Sequence, residues 1–273
     1  MRASPFRWDF AHHANFNKFV EMKFGKFILT SLLLFFAGII AQAQTLQVAA
    51  AANLQSVIKA LGADFKKQTG IEIQPITGSS GNLVNQIKNG APFDVFLSAD
   101  ISFPESLYKA GFSMDEPVVY AWGNLIVCSR QKLDLKNWQS LLQKGKVKKI
   151  AIANAAIAPY GKAAEEALIK TGIMNSVKPK LVYGESIAQV NTYITTGAVT
   201  VGFTSQSFIK DADKNAKLYW APVDVNLYTA IQQGMVILKH GKETNFENAQ
   251  KFYKYILSPS AKAIFTQYGY HVQ

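Results

Sequence analysis

Four short stretches carry residue types that could do chemistry: "AAAANL", "GSSGN", "ANAAIAPYGKA" and "YGESIAQV". They place Asn53, the pair Ser79 and Ser80, Tyr160, and the pair Ser186 and Ile187 at the starts of helical patterns. Such joints have several uses. A serine on a sharp turn can be a nucleophile. A glycine-rich turn can cradle a nucleotide phosphate. Ser and Asn can cap a helix. The unpaired N–H groups of a helix start can also hold a free anion.

The enzyme readings lack parts. Gly78-Ser79-Ser80-Gly81 does not have the G-x-S-x-G spacing of a nucleophile elbow. Beyond residue 43 the only histidines are His240 and His271, the latter two residues from the end, and both read as surface residues. The sequence contains no G-x-x-x-x-G-K-[ST], G-x-G-x-x-G or H-E-x-x-H pattern and no histidine-carboxylate cluster for a metal cation. Tyr183, Tyr193 and Tyr228 show no paired motif for a ferric ion. Capping is the plainer reading of each joint taken singly. Taken together, the four would open on one cleft. Each helix start carries unpaired N–H groups and roughly half a positive charge, so the cleft suits an anion.

The elements that position these joints alternate. Leu46–Ala51 reads as a strand, and Leu54, Val57, Ile58, Leu61 and Phe65 share one face of a helix that Gly70 can end. Ile71–Ile76 and Phe93–Leu97 read as strands, with helices near 83–90 and 104–110. Val118–Cys128 is a longer extended segment. Strand and helix units resume at 149–153, 160–171, 181–183, 187–196 and 199–203. A second long extended stretch, 227–238, precedes two final helices, 245–257 and 259–268. Repeated β-α units imply mostly parallel sheets with helices on both faces. Two long extended segments imply two α/β lobes joined by two crossovers, with the last helices packing back on the first lobe.

The N-terminal region has its own pattern. "MKFGKFILTSLLLFFAGIIAQAQ" has Lys23 and Lys26, an apolar run from Ile28 to Ile40, and Ala41-Gln42-Ala43 as a small-x-small site. Residues 22–43 thus read as a cleavable secretory signal peptide, and the apolar run is short for a membrane anchor. No cysteine stands near the cleavage site, which disfavours a lipid anchor. Met22 is a natural start, so residues 1–21 read as an over-extended start and His12-His13 not as a metal site. The formal charge is +11 over the whole chain. Without residues 1–43 it loses five basic and two acidic residues and stands at +8. For an exported protein that excess reads as a solvated basic surface, not a nucleic-acid site. Cys128 is the only cysteine and sits in the run Leu125-Ile126-Val127, where it reads as a small core hydrophobe.

At these same joints the sequence resembles the molybdate-binding proteins of bacterial ABC importers. The matching stretches are "AAAANL", "GSSGNLVNQIKNGAPFDVFLSAD", "ANAAIAPYGKAAEEAL", "GESIAQVNTYITTGAVTVGF" and "FYKYILSPSAKAIFTQYGY", in order from about Thr45 to the end. The resemblance implies an α/β type II periplasmic binding protein. Each of its two lobes would be a mixed sheet flanked by helices, joined by two crossover hinge strands. Lobe 1 is expected over 44–120 plus 234–273, and lobe 2 over 121–233. The family implies a periplasmic monomer, not an enzyme and without a cofactor, that closes on molybdate or tungstate and delivers it to a membrane permease.

Carried onto this chain, the resemblance makes Asn53 and Ser80 donors from one lobe. The backbone amides of Tyr160 and Ile187 donate from the other, so these four surround the molybdenum through its oxygens. Ala52 and Ser79 are adjacent candidates. Ser205 stands where some members have a donating tyrosine. Many members have serine at Asn53, others threonine at Ala52, and several a small residue at Tyr160. A deprotonated tetrahedral dianion accepts hydrogen bonds at every oxygen and donates none, so neutral donors suffice. Phosphate keeps a proton at neutral pH and wants an acceptor, which this shell is expected to lack. The other readings are a binder of sulfate or another oxyanion, a secreted hydrolase using Ser80, and a sensor module for a membrane kinase.

Overall fold

The structure is a computed structural model that describes residues 45–113, 115–211 and 217–273. The expected signal peptide and residues 1–21 lie outside the described residues.

Two five-stranded sheets organise the described residues. The first holds β1 (Leu46–Ala51), β2 (Ile73–Gly78), β3 (Val95–Leu97), β4 (Val118–Gly123) and, from much later in the chain, β10 (Ile231–Ile237). Its order is β2-β1-β3-β10-β4. The second holds β5 (Leu125–Ser129), β6 (Ile150–Ala153), β7 (Leu181–Gly184), β8 (Val201–Ser205) and β9 (Tyr219–Pro222), in the order β7-β6-β8-β5-β9. In each sheet one strand pairs in parallel with two neighbours: β1 with β2 and β3, and β6 with β7 and β8. The remaining pairings, of β10 with β3 and β4 and of β5 with β8 and β9, are antiparallel. The sheets are therefore mixed, not mostly parallel, because the strands after each crossing enter their sheet reversed.

The helices follow as α1 (Val57–Thr69), α2 (Ser80–Lys88), α3 (Ser102–Lys109), α4 (Trp138–Gln143), α5 (Pro159–Lys170) and α6 (Met174–Val177). After them come α7 (Ile187–Thr196), α8 (Ser207–Asp211), α9 (Lys239–Thr244), α10 (Phe246–Ile256) and α11 (Pro259–Gln267). α1 buries Val57, Ile58, Leu61 and Phe65, the spacing of one helix face, and ends at Gly70 in the left-handed region, φ 75°. That face meets the C-terminal helices. The Phe65 ring lies 5.1 Å from Phe252 and 5.2 Å from Tyr255, centroid to centroid. Asp64 on α1 accepts hydrogen bonds from Tyr255 and Ser260 at 2.9 and 2.6 Å. One core forms under this face, a second on the far face of the first sheet under α2 and α3, and a third around the second sheet.

The segment 118–128 is not one extended element. It breaks at Asn124, and its two parts enter different sheets. Apolar residues flank Gly123 and Asn124 on both sides, so hydrophobic pattern alone does not say that the two parts join different sheets. The second crossing runs from Pro222 through a 3-10 turn at Val225–Leu227 into β10. The crossings are tied together: the Leu125 amide donates to the Tyr228 hydroxyl at 3.2 Å, and Ile231 pairs with Gly123.

Candidate functional site

The four joints converge on one point. Ala51, Ala52, Asn53, Ser79, Ser80 and Ala99 from the first half, and Ala158, Pro159, Tyr160 and Ile187 from the second, line a cavity of about 10 Å³. Every wall comes from the carboxyl end of a strand, where open α/β sheets place their ligands. The lining includes no lysine, arginine, histidine or carboxylate. Its polarity comes from main-chain amides and neutral side chains. α2, α5 and α7 all point their N-termini here, and the first-turn amides of a helix have no intrahelical acceptor.

Local sequence explains each joint. Pro159 opens α5 at the position where its missing N–H costs nothing. Ser186 caps α7 by accepting from the Gln189 amide at 3.4 Å. The other two joints depart from the capping reading. Asn53 lies in a 3-10 turn, Ala52–Leu54, and its side chain caps nothing. The N-cap of α2 is Ser79, not Ser80, and its side chain makes no cap bond. Ser80 is the first helical residue; its Oγ accepts from the Ala99 amide at 3.1 Å, which leaves its proton for another acceptor.

Two buried side-chain atoms at this wall, Asn53 Oδ1 and Ser79 Oγ, have no hydrogen-bond partner. Asn53 is 3% exposed and Ser79 4%. A buried polar group left unpaired costs free energy, on the order of 1–3 kcal/mol. Unpaired groups gathered at a cavity therefore point to a guest. They also amend one expectation: the wall is not free of acceptors, because Asn53 Oδ1 can only accept.

The two halves touch at the cavity's edge. The Gly81 amide, on α2, donates to the Ile157 carbonyl, before α5, at 3.0 Å. The backbones are so close that a Cβ on Gly81 would lie 2.9 Å from Ile157 Cα, Cβ and Cγ2. Behind the cavity the Tyr160 side chain fills the space beside the first crossing, against Gly123, where no side chain would fit. Burial, chiefly, pushes the hydroxyls of Tyr160, Tyr120 and Tyr228 above the ordinary phenol range, and that of Tyr270 up to about 12. All of these hydroxyls stay protonated at neutral pH.

Residues 46–271 match the family of bacterial extracellular solute-binding proteins. This chain belongs to that family. The molybdate-binding protein ModA of Azotobacter vinelandii is 38% identical to it over 85% of this chain and 92% of its own length. ModA of Rhodobacter capsulatus is 36% identical over 81% and 86%. The solved structure of the Azotobacter vinelandii periplasmic molybdate-binding protein superposes with a TM-score of 0.78, at 33% identity, covering 84% of this chain and 99% of that one. The fold is that of a type II periplasmic binding protein, with two mixed sheets flanked by helices.

Within this solute-binding fold the structure gathers Asn53, Ser80, Tyr160, Ile187, Ala52 and Ser79 around the one cavity. Ser205 does not line that cavity but the cleft beside it, which Ala52 and Asn53 also line. It bonds to Ser207 at 2.9 Å, and that polar cleft, of about 320 Å³, is also lined by Lys59, Asn191 and Thr192. Sequence reasoning missed Ala99 in the wall and, behind it, Gly123, Gln233 and Tyr270. Gln233 left a trace, a polar residue inside the extended run before Met235. Tyr270 closes the last stretch that carries the resemblance, but nothing local says that its hydroxyl reaches Asn53 across most of the chain.

Proposed function

We propose that this chain binds molybdate, and tungstate with it, as a periplasmic monomer and hands it to the membrane permease of an ABC importer. Asn53, Ser80, Tyr160 and Ile187 are the main contributors, with Ala52 and Ser79 beside them. The observation that carries this reading is the cavity wall: neutral N–H and O–H donors from both halves beside the one acceptor Asn53 Oδ1, three helix N-termini and no charged side chain. The likeness to molybdate-binding proteins supports it. Each hydrogen bond to a charged guest contributes about 1.5–3 kcal/mol net of water. Several such bonds with the helix dipoles offset the hydration that a dianion loses.

The chain acts by binding and not by catalysis. Ser80 has the Ala99 amide as its partner, and no histidine, lysine or carboxylate lines the cavity beside it. His240 is engaged with Asp94 at 3.1 Å, and His271 pairs through its backbone with Trp122. Because donors come from both halves, a guest favours the arrangement that brings them together and shifts the population toward it. The signal at 22–43 accounts for export. Calorimetric competition among molybdate, tungstate, sulfate and phosphate on residues 44–273 tests the reading. The expected result is tight molybdate and tungstate binding with weak sulfate and phosphate. Phosphate binding without heat from molybdate would sink it.

A further inference from the structure

Asn53 has two side-chain amide protons, and both are used. Its Nδ2 donates to Gln233 Oε1 at 2.8 Å and to the Tyr270 hydroxyl at 2.9 Å. The orientation of this amide is forced. Gln233 Nε2 donates to the carbonyls of Ala99 and Ile231 at 2.9 and 3.3 Å. Carbonyls only accept, so the Gln233 nitrogen must face them and its oxygen must face Asn53. That oxygen also only accepts, so Asn53 must turn its nitrogen to it. The Asn53 side chain then has no proton left for an anion, and its Oδ1 is the unpaired buried atom.

The Asn53 main chain is held as firmly. Its carbonyl accepts from Ser207 Oγ at 2.8 Å and from the Tyr270 hydroxyl at 2.9 Å. What Asn53 can offer a guest is its backbone N–H, at the start of a 3-10 turn. Gln233 is fully buried and sits where the β10–β4 register shifts, on the second crossing. Through Ala99 it also reaches Ser80, because the Ala99 amide donates to Ser80 Oγ.

We infer that Gln233 is a positioning residue of the anion site, holding Asn53 so that its main-chain amide, and not its side chain, serves the guest. The inference deepens the anion-binding reading above and rests on it. A Gln233 that only satisfied two main-chain carbonyls would have no such link to affinity.

A double-mutant cycle separates the two. Gln233→Leu and Asn53→Ala should each weaken molybdate binding about tenfold, the scale of one buried hydrogen bond. The double variant should be no weaker than the weaker single one, because both changes break the same link. Losses that multiply would overturn the inference. A measurement on the ligand-free wild-type protein stands apart from folding of the variants. The Asn53 side-chain NH2 should show slow hydrogen exchange by NMR; fast exchange would also overturn the inference. If none of molybdate, tungstate, sulfate and phosphate binds the wild-type chain, the functional reading fails. The exchange rate still decides whether Asn53 is held.

Discussion

Replacing Gly81 by alanine should move stability and affinity in opposite directions. Gly81 is the second residue of α2 and has ordinary helical geometry, since it is absent from the positive-φ glycines. Alanine is the better helix former by up to about 1 kcal/mol, so the ligand-free protein should melt no lower than wild type. The nearest atoms to the added methyl belong to the other half of the molecule: Ile157 Cα, Cβ and Cγ2, each 2.9 Å from the new Cβ. Carbon atoms prefer roughly 3.5–4.0 Å, so the two halves must part by several tenths of an ångström at this point. Two of those three atoms belong to or branch directly from the backbone, so a rotamer change gives little relief. Overpacking of this kind costs about 1–3 kcal/mol. The parting also lengthens the 3.0 Å bond from the Gly81 amide to the Ile157 carbonyl. On the proposed reading, in which the halves close on the guest, the strain falls on the closed, bound state and should weaken molybdate binding roughly 5- to 160-fold. Calorimetry gives the affinity and a thermal melt of the ligand-free protein gives the stability. Affinity within twofold of wild type, or a fall in the ligand-free melting temperature, would refute the reasoning.

Three further outcomes are expected. Ser80→Asp puts a carboxylate into a wall that has none and should weaken molybdate binding by more than about a hundredfold; at low dielectric, like charges this close repel by several kcal/mol, and unchanged affinity in the titration would remove Ser80 from the site. Cys128 is buried in β5 and burial pushes its thiol up to about 12, so the native protein should resist iodoacetamide at pH 8 while the denatured chain reacts fully. Hydrogen bonds, first from Ser260 and then from Tyr255, hold the Asp64 carboxyl below the usual aspartate range; its contribution is present above the unfolded aspartate's pKa and is lost as pH falls through the lower folded value. Ser260→Ala should therefore shift acid unfolding to higher pH, and an unmoved acid limb by circular dichroism would show that the α1–α11 contact does not depend on this carboxylate.

Much of the fold was legible in local pattern. The strand at Leu46–Ala51, the helix face of Val57, Ile58, Leu61 and Phe65, and the final helices all follow from hydrophobic period and from Gly70 and Pro259 as stop and start signals. The elements that escaped are short or lie where chain direction changes. β9 has four residues, and α6 is a single turn. The break at Asn124 divides two apolar runs that read as one, because periodicity reports which residues are buried and not which sheet buries them.

By itself the sequence determined the residue types at the four joints, the helix starts that follow them and the resemblance those stretches carry. These are local properties, set by backbone preference and by the few residues on each side of Asn53, Ser80, Tyr160 and Ile187. Only the tertiary structure decided which atoms of those residues are free. Ser79, and not Ser80, takes the N-cap of α2; Ser205 turns to Ser207; Asn53 gives both amide protons to Gln233 and Tyr270. The reason is that a side-chain proton goes to the acceptor that packing brings within reach. Here those acceptors come from a crossing strand and a C-terminal segment far from Asn53 in the chain.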